Sequence, residues 1–289
     1  MCRFVAYVGP SIGLDALVTQ PAHGLVQQSF DAHESRLPLN GDGFGLGWYA
    51  REVSEEPAVF RSITPAWSDP NLRELCRVTR SGCVFAHVRA ASGGLPVTRT
   101  NCHPFRVGRL LFMHNGQVPG FNGLRRQMMA GLSDRSFSEI AGSTDSEVLF
   151  AMFRDEHEQT TGAPSARMLA ALERTIGRVR GLYCEDEPAE PLLLNLAVTD
   201  GEAVVATRYV VGEEERAVSL HVHEGCRYEC VEGDCHMIPP EETGDPDCPT
   251  AVVIASEPLS HDARWQDVPV NHAVVVDAER NVSFSPLSM

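Results

Sequence analysis

Residues 1–10 read MCRFVAYVGP, and the run Cys2–Val8 predicts a β-strand that begins at the second residue. Chain ends fray unless something ties them down, so an ordered start suggests a use for it. Cysteine is one of the small residues after which an initiator methionine is normally removed. A mature chain would then carry a thiol and a free α-amine on Cys2. An α-amine has an ordinary pKa of about 7.7–8.0, so it can accept the thiol proton directly or through one water. One residue could act as both nucleophile and base. The plainer reading is a buried strand cysteine, since unpaired cysteine often serves as a small hydrophobe.

Working outward, further strands are predicted at Phe44–Tyr49, Cys83–Arg89, Leu110–His114, Leu192–Thr199, Ala203–Val211, Ser219–His223, Ala251–Ser256 and Ala273–Asp277. Helical periodicity marks Asp145–His157, where Val148, Leu149, Met152 and Phe153 share a face, and Ser165 to about Val179. Shorter helices are predicted over Asn71–Thr79 and Gly123–Gly131. Cys184–Pro191 and Pro239–Pro249 read as loops. Strands, then helices, then strands again suit α+β layering better than a regularly alternating parallel fold.

Composition narrows the function. With 43% hydrophobic and 22% charged residues, the 289-residue chain matches ordinary globular proteins and can bury a large core. Its net charge of −15 argues against nucleic acid, which calls for a basic face. All 24 basic residues are arginine, which excludes a Schiff-base lysine and a phosphate-binding P-loop lysine. No stretch approaches the roughly 18 apolar residues of a membrane span, and the amino terminus does not read as a signal peptide. Nine irregularly spaced cysteines argue for reduced thiols, and with them a cytoplasmic location.

Six segments occur in a telling order: MCRF at the start, NGDGFGLGWY at Asn40–Tyr49, FAHVRAAS at Phe85–Ser92, NCHPF at Asn101–Phe105, MHNG at Met113–Gly116 and STDSE at Ser143–Glu147. Together they resemble the class II glutamine amidotransferases of the N-terminal nucleophile hydrolase superfamily. Within that family they resemble the compact subgroup of ergothioneine-pathway γ-glutamyl hydrolases and the glutathione-degrading amidotransferase subunit, and PAHGLVQQSF at Pro21–Phe30, followed by PLNGDGFGLGWY, resembles especially the glutathione-degrading branch. The likeness spans roughly the first 160 residues and continues more weakly to SEPLS at Ser256–Ser260.

The resemblance implies an α+β four-layer αββα sandwich; patterning alone supports only mixed α and β. It implies one domain over residues 1–289, less well matched from about residue 184. It also implies a cysteine amidohydrolase that cleaves γ-glutamyl amides through a thioester on Cys2, with no cofactor and no metal. In this reading Asn115, through its side-chain NH2, and Gly116, through its backbone N–H, form an oxyanion hole. The plainer reading of Asn-Gly is a hairpin turn. Arg89 would grip the substrate α-carboxylate and Asp145 its α-ammonium; their plainer roles are a surface ion pair and a helix N-terminal acid. Ser92 is a further substrate contact, in a segment reading RAASGG where synthase-linked relatives have RWATHG. His87 and His103 read as architectural.

Two other readings stay open: a glutaminase subunit feeding ammonia to a separate synthase, and a catalytically silent ligand-binding relative. A protein partner or a homo-oligomer is open as well. In the last third, His221, His223, Cys226, Cys230, Cys235, His236 and Cys248 could suggest zinc. Their spacing lacks the paired knuckles of a structural site, so a hairpin with ordinary thiols is expected.

Overall fold

The strand β1 (Arg3–Gly13) is apolar on successive residues because it is covered on both faces. Phe4, Ala6 and Val8 enter one apolar cluster, whereas Val5 and Tyr7 enter another. The computed structural model describes residues 2–35, 38–91, 96–183, 190–231, 233–245 and 248–287. After β1 come α1 (Asp15–Val18), α2 (Leu25–Gln28), β2 (Phe44–Trp48), β3 (Ala58–Ser62), α3 (Pro70–Val78) and β4 (Arg80–Val88). The middle holds β5 (Phe105–Val107), β6 (Leu110–Gln117), α4 (Phe121–Ala130), α5 (Asp134–Ser138), α6 (Asp145–Glu158) and α7 (Pro164–Leu182). Next are β7 (Leu192–Thr199), β8 (Val204–Arg208), β9 (Val210–Val211), β10 (His221–Gly225), β11 (Arg227–Val231) and β12 (Asp234–Ile238). The chain closes with β13 (Ala251–Ala255), β14 (Gln266–Asp267), β15 (His272–Val276) and β16 (Val282–Pro286).

One sheet runs β14-β10-β13-β1-β4-β2-β3 and the other β16-β15-β8-β7-β6-β5, with β9 on β7. Pairing is antiparallel in both. Between the sheets lie Phe4, Ala6, Phe85, Leu111, Met113, Ala197 and Val274. Outside the first sheet, α1, α2, α3 and the β11–β12 hairpin cover Val5, Tyr7, Val84 and Val253. Outside the second, α4, α6 and α7 cover Phe112, Leu194, Leu196 and Val205. This is the expected αββα sandwich.

Helix starts follow local chemistry. Asp69 accepts from the backbone N–H groups of Asn71 and Leu72 ahead of α3, and Thr144 accepts from Glu147 N–H ahead of α6. Proline at the first position opens α3 and α7. The predicted strand Ala203–Val211 is instead two, β8 and β9, parted at Tyr209. Of the two predicted loops, Pro239–Pro249 contains a short helix at Pro240–Thr243, and most of Cys184–Pro191 lies outside the described residues.

The expectation of reduced thiols is corrected. Cys226 pairs with Cys248, and Cys230 with Cys235, as disulfides. The reason is register: Cys230 and Cys235 face each other across the β11–β12 hairpin, with Cα atoms 4.0 Å apart. Sequence spacing cannot show that opposition. It also removes the thiol-based ground for a cytoplasmic location. Among the described residues, no helix is long and apolar enough to cross a membrane.

Candidate active site

Cys2 sits at the head of the central strand of its sheet. Arg3 pairs with Val88, the last residue of β4, so Cys2 and Arg89 leave neighbouring strands side by side. Cys2 Sγ accepts the Ala90 N–H at 3.4 Å, and its thiol lies 3.6 Å from the Ala90 carbonyl. Burial pushes the thiol pKa up; the Ala90 hydrogen bond and the Arg89 charge oppose that shift without cancelling it. The resting group is therefore a neutral thiol that needs a base before it can attack.

Arg89 is only 3% exposed, and no ion pair reaches it among the described residues. Its Nη1 has no hydrogen-bond partner. This overturns the surface ion-pair reading, because a buried guanidinium nitrogen without an acceptor is a costly arrangement unless a ligand supplies one. The backbone around it is fixed on both sides. Arg89 N–H donates to the Gly43 carbonyl at 2.8 Å, and Asp42 N–H donates to the Arg89 carbonyl at 2.9 Å. The Asp42 carboxylate accepts from Ala91 N–H at 2.8 Å. Gly43 has φ +110°, and a Cβ there would come within 2.6 Å of the Ser62 carbonyl, so glycine is required.

Asn115 lies on β6, two residues beyond Met113, and so faces the same inter-sheet space as Cys2 and Phe4. It is fully buried, and its amide meets Ser256 Oγ at 3.2 Å. Ser256 also accepts the Phe4 N–H at 3.0 Å, so one hydroxyl ties Asn115 to the strand that carries Cys2. At Gly116 a Cβ would fall 2.0 Å from the Leu193 carbonyl, which explains the glycine by close strand approach. Asn-Gly is thus inside a strand paired with β7, and the hairpin-turn reading fails.

Asp145 opens α6, as its plainer reading held, but its carboxylate also accepts the Val118 N–H at 2.9 Å and the Ser146 N–H at 2.7 Å. Ser146 Oγ meets His114 Nδ1 at 2.9 Å, which fixes this helix start against β6 beside Asn115. The charges of both Arg89 and Asp145 act on the Cys2 thiol. The structure therefore gathers Cys2, Arg89, Asn115 and Asp145. Ser92 lies outside the described residues. His87 and His103 stack at 4.2 Å; burial drives the His87 pKa down to about 3 and that of His103 well below its ordinary value. Neither ring is a useful base at neutral pH.

Sequence reasoning gave no role to the group beneath the nucleophile. Arg3, fully buried, donates from Nη1 to the Cys2 carbonyl at 2.8 Å and from Nε to Glu257 at 2.5 Å. Glu257 also accepts from His23 Nε2 and His33 N–H at 2.8 Å and from Glu34 N–H at 3.0 Å. His23, His33 and Glu257 are close enough to suggest a metal, but both carboxylate oxygens are already engaged twice. The cluster instead anchors the backbone of Cys2. Burial raises the Glu257 pKa, but His23, Arg3 and the two N–H groups outweigh it and hold the carboxyl at about 2.

A group with a depressed folded pKa stabilises above its ordinary value near 4.5, and that contribution fades as pH falls toward 2. Acid unfolding followed by circular dichroism should show stability falling through this window. Glu257→Gln should cost roughly 1–3 kcal/mol at pH 7 and flatten the acid dependence. An unchanged acid profile in the variant would rule out the anchor.

A family model described as "Glutamine amidotransferases class-II" matches residues 22–285. The chain belongs to this family. Among class-II glutamine amidotransferases it is 39% identical to the probable glutamine amidotransferase DUG3 of Saccharomyces cerevisiae, over 96% of this chain and 82% of that one. It is 28% identical to the γ-glutamyl-hercynylcysteine sulfoxide hydrolase of Mycobacterium tuberculosis, over 99% and 97% of the two chains. A solved class-II domain protein from Silicibacter pomeroyi superposes over the full length of both chains with TM-score 0.68 and 27% identity. The glutamine phosphoribosylpyrophosphate amidotransferase of B. subtilis shares the fold, with TM-score 0.60 and 15% identity over half of its chain. The family and subgroup expected from the motifs are borne out.

Proposed function

We propose that this class-II amidotransferase hydrolyses γ-glutamyl amides through a thioester on Cys2, and that residues 1–289 form the single domain that does so. The carrying observation is the buried Arg89 guanidinium beside the Cys2 thiol, with its Nη1 unpartnered among the described residues. A γ-glutamyl group presents an α-carboxylate and an α-ammonium to such a site. Arg89 takes the carboxylate and Asp145 the ammonium. With Met1 removed, the Cys2 α-amine accepts the thiol proton as Sγ attacks the γ-carbonyl carbon. The oxyanion is stabilised by Asn115 Nδ2 and Gly116 N–H. Collapse of the tetrahedral species breaks the C–N bond, and the amine leaves with a proton from the terminal ammonium. Water activated by the same α-amine then opens the thioester and releases glutamate.

Incubating the processed protein with glutamine, glutathione and a set of γ-glutamyl amines, and following free glutamate, tests the reading. Release from none of them would refute it. Arg89→Ala is expected to raise KM by at least about ten-fold, the loss of a charge-assisted bidentate contact worth roughly 1.5–3 kcal/mol. A KM equal to the parent's would remove Arg89 from the substrate site. The likeness to a named glutamine amidotransferase keeps ammonia delivery to a separate partner as a second reading. That reading expects glutaminase activity to rise when the partner is added.

A further inference from the structure

At the sandwich's lateral edge, β3, the 99–101 turn, β5 and α5–α6 line two adjoining solvent-open pockets of about 190 and 430 Å³ that share Arg61 and Arg106. Arg99 completes one and Arg154 the other, so four arginines face two lining carboxylates, Glu139 and Glu147, in a chain whose net charge is −15. Those carboxylates are already committed. Glu147 accepts the Ala141 and Gly142 N–H groups, and Glu139 pairs with Arg154 and Arg135. A third acid, Glu56, pairs among the described residues only with Arg106, at 3.7 Å.

Arg61 makes no ion pair among the described residues. Its Nε is buried without an acceptor and its guanidinium rests over the Phe105 ring. Burial lowers its pKa and the charges of Arg106 and Arg99 add to that shift, while Cys102 and the Glu147 carboxylate oppose it without cancelling it. Arg154, its side chain 4% exposed, likewise has an unpartnered Nη2. Guanidinium groups stay charged, so two buried unmet donors in one groove call for acceptors from outside.

This groove is distinct from the Cys2 site. Phe4, His87, Gly45 and Arg61 form one register row across β1, β4, β2 and β3. At about 4.8 Å per strand, the Arg61 backbone lies roughly 14 Å from that of Phe4.

We propose that the Arg61–Arg99–Arg106–Arg154 groove binds a small multivalent oxyanion, phosphate or a polycarboxylate, independently of the chemistry at Cys2. Calorimetric titration of the whole protein at low ionic strength, with inorganic phosphate in one arm and citrate in the other, tests this and tells the two sources apart. Binding should weaken with added salt and fall at least about ten-fold in Arg61→Gln. Arg99→Gln/Arg106→Gln, which changes only exposed side chains, should show the same loss with turnover unchanged and guards against misfolding of the first variant. Arg73→Gln, which changes an exposed side chain on α3, controls for net charge and should bind as the parent does. No binding of either anion by the parent, or equal binding by the parent and the double variant, would overturn the proposal.

Discussion

Cys2→Ala is expected to give a folded protein with no turnover. The side chain is half-buried, and its only polar contacts among the described residues are two long sulfur hydrogen bonds to Ala90, so its loss should change stability by under about 1 kcal/mol. Thermal denaturation should therefore be near that of the parent while glutamate release disappears. A second variant separates the sulfur from the amine. Inserting alanine between Met1 and Cys2 keeps the thiol but moves the α-amine to another residue. Because burial raises the thiol pKa, the thiolate is scarce without a base in reach, and this variant should also be inactive. Intact mass establishes which residue is terminal in each sample. Turnover at the parent's rate in either variant would show that another group is the nucleophile or the base.

What could be read in advance tracks how local the cause is. β1 was legible because burial on both faces leaves an unbroken apolar run, and β7 was legible for the same reason. Helix α6 showed its start through the acid Asp145 and its packing through the spacing of its apolar residues. Edge strands and very short helices were missed. β3 is partly exposed throughout, β5 has three residues, and α1 and α2 have four each, too few for a period to show.

The site divides in the same way. Cys2, Arg89, Asn115, Gly116 and Asp145 lie in short motifs and could be named. Glu257 could not, because its partners come from residues 3, 23, 33 and 34, more than 200 positions away, and a loop glutamate gives no sign of burial. The one available hint was SEPLS, which holds both Ser256 and Glu257 and matched the family only weakly. The disulfides escaped because strand register, not spacing, opposes Cys230 and Cys235.

Asn115→Ala is expected to lower kcat by about 10² to 10³, the cost of one oxyanion-hole donor, or roughly 2.7–4 kcal/mol. The hydrogen bonding around this amide says why so much depends on it. With Nδ2 toward Ser256, the buried Oδ1 has no partner among the described residues. Turning the amide by 180° exchanges Oδ1 and Nδ2 and leaves the surrounding heavy atoms in place, lets the Ser256 hydroxyl donate to Oδ1, and frees Nδ2 for the developing oxyanion. Ser256 is then a positioning residue that selects the productive orientation while accepting the Phe4 N–H beside the nucleophile. Ser256→Ala should lower kcat by a smaller factor, about ten-fold, with KM little changed. The double variant separates positioning from structure. If Ser256 acts through Asn115, adding Ser256→Ala to Asn115→Ala should cost almost nothing further in kcat, a non-additivity that steady-state rates can measure. Independent, multiplying losses would place Ser256 outside the oxyanion hole, and a kcat for Asn115→Ala within a few-fold of the parent would place Asn115 outside it as well.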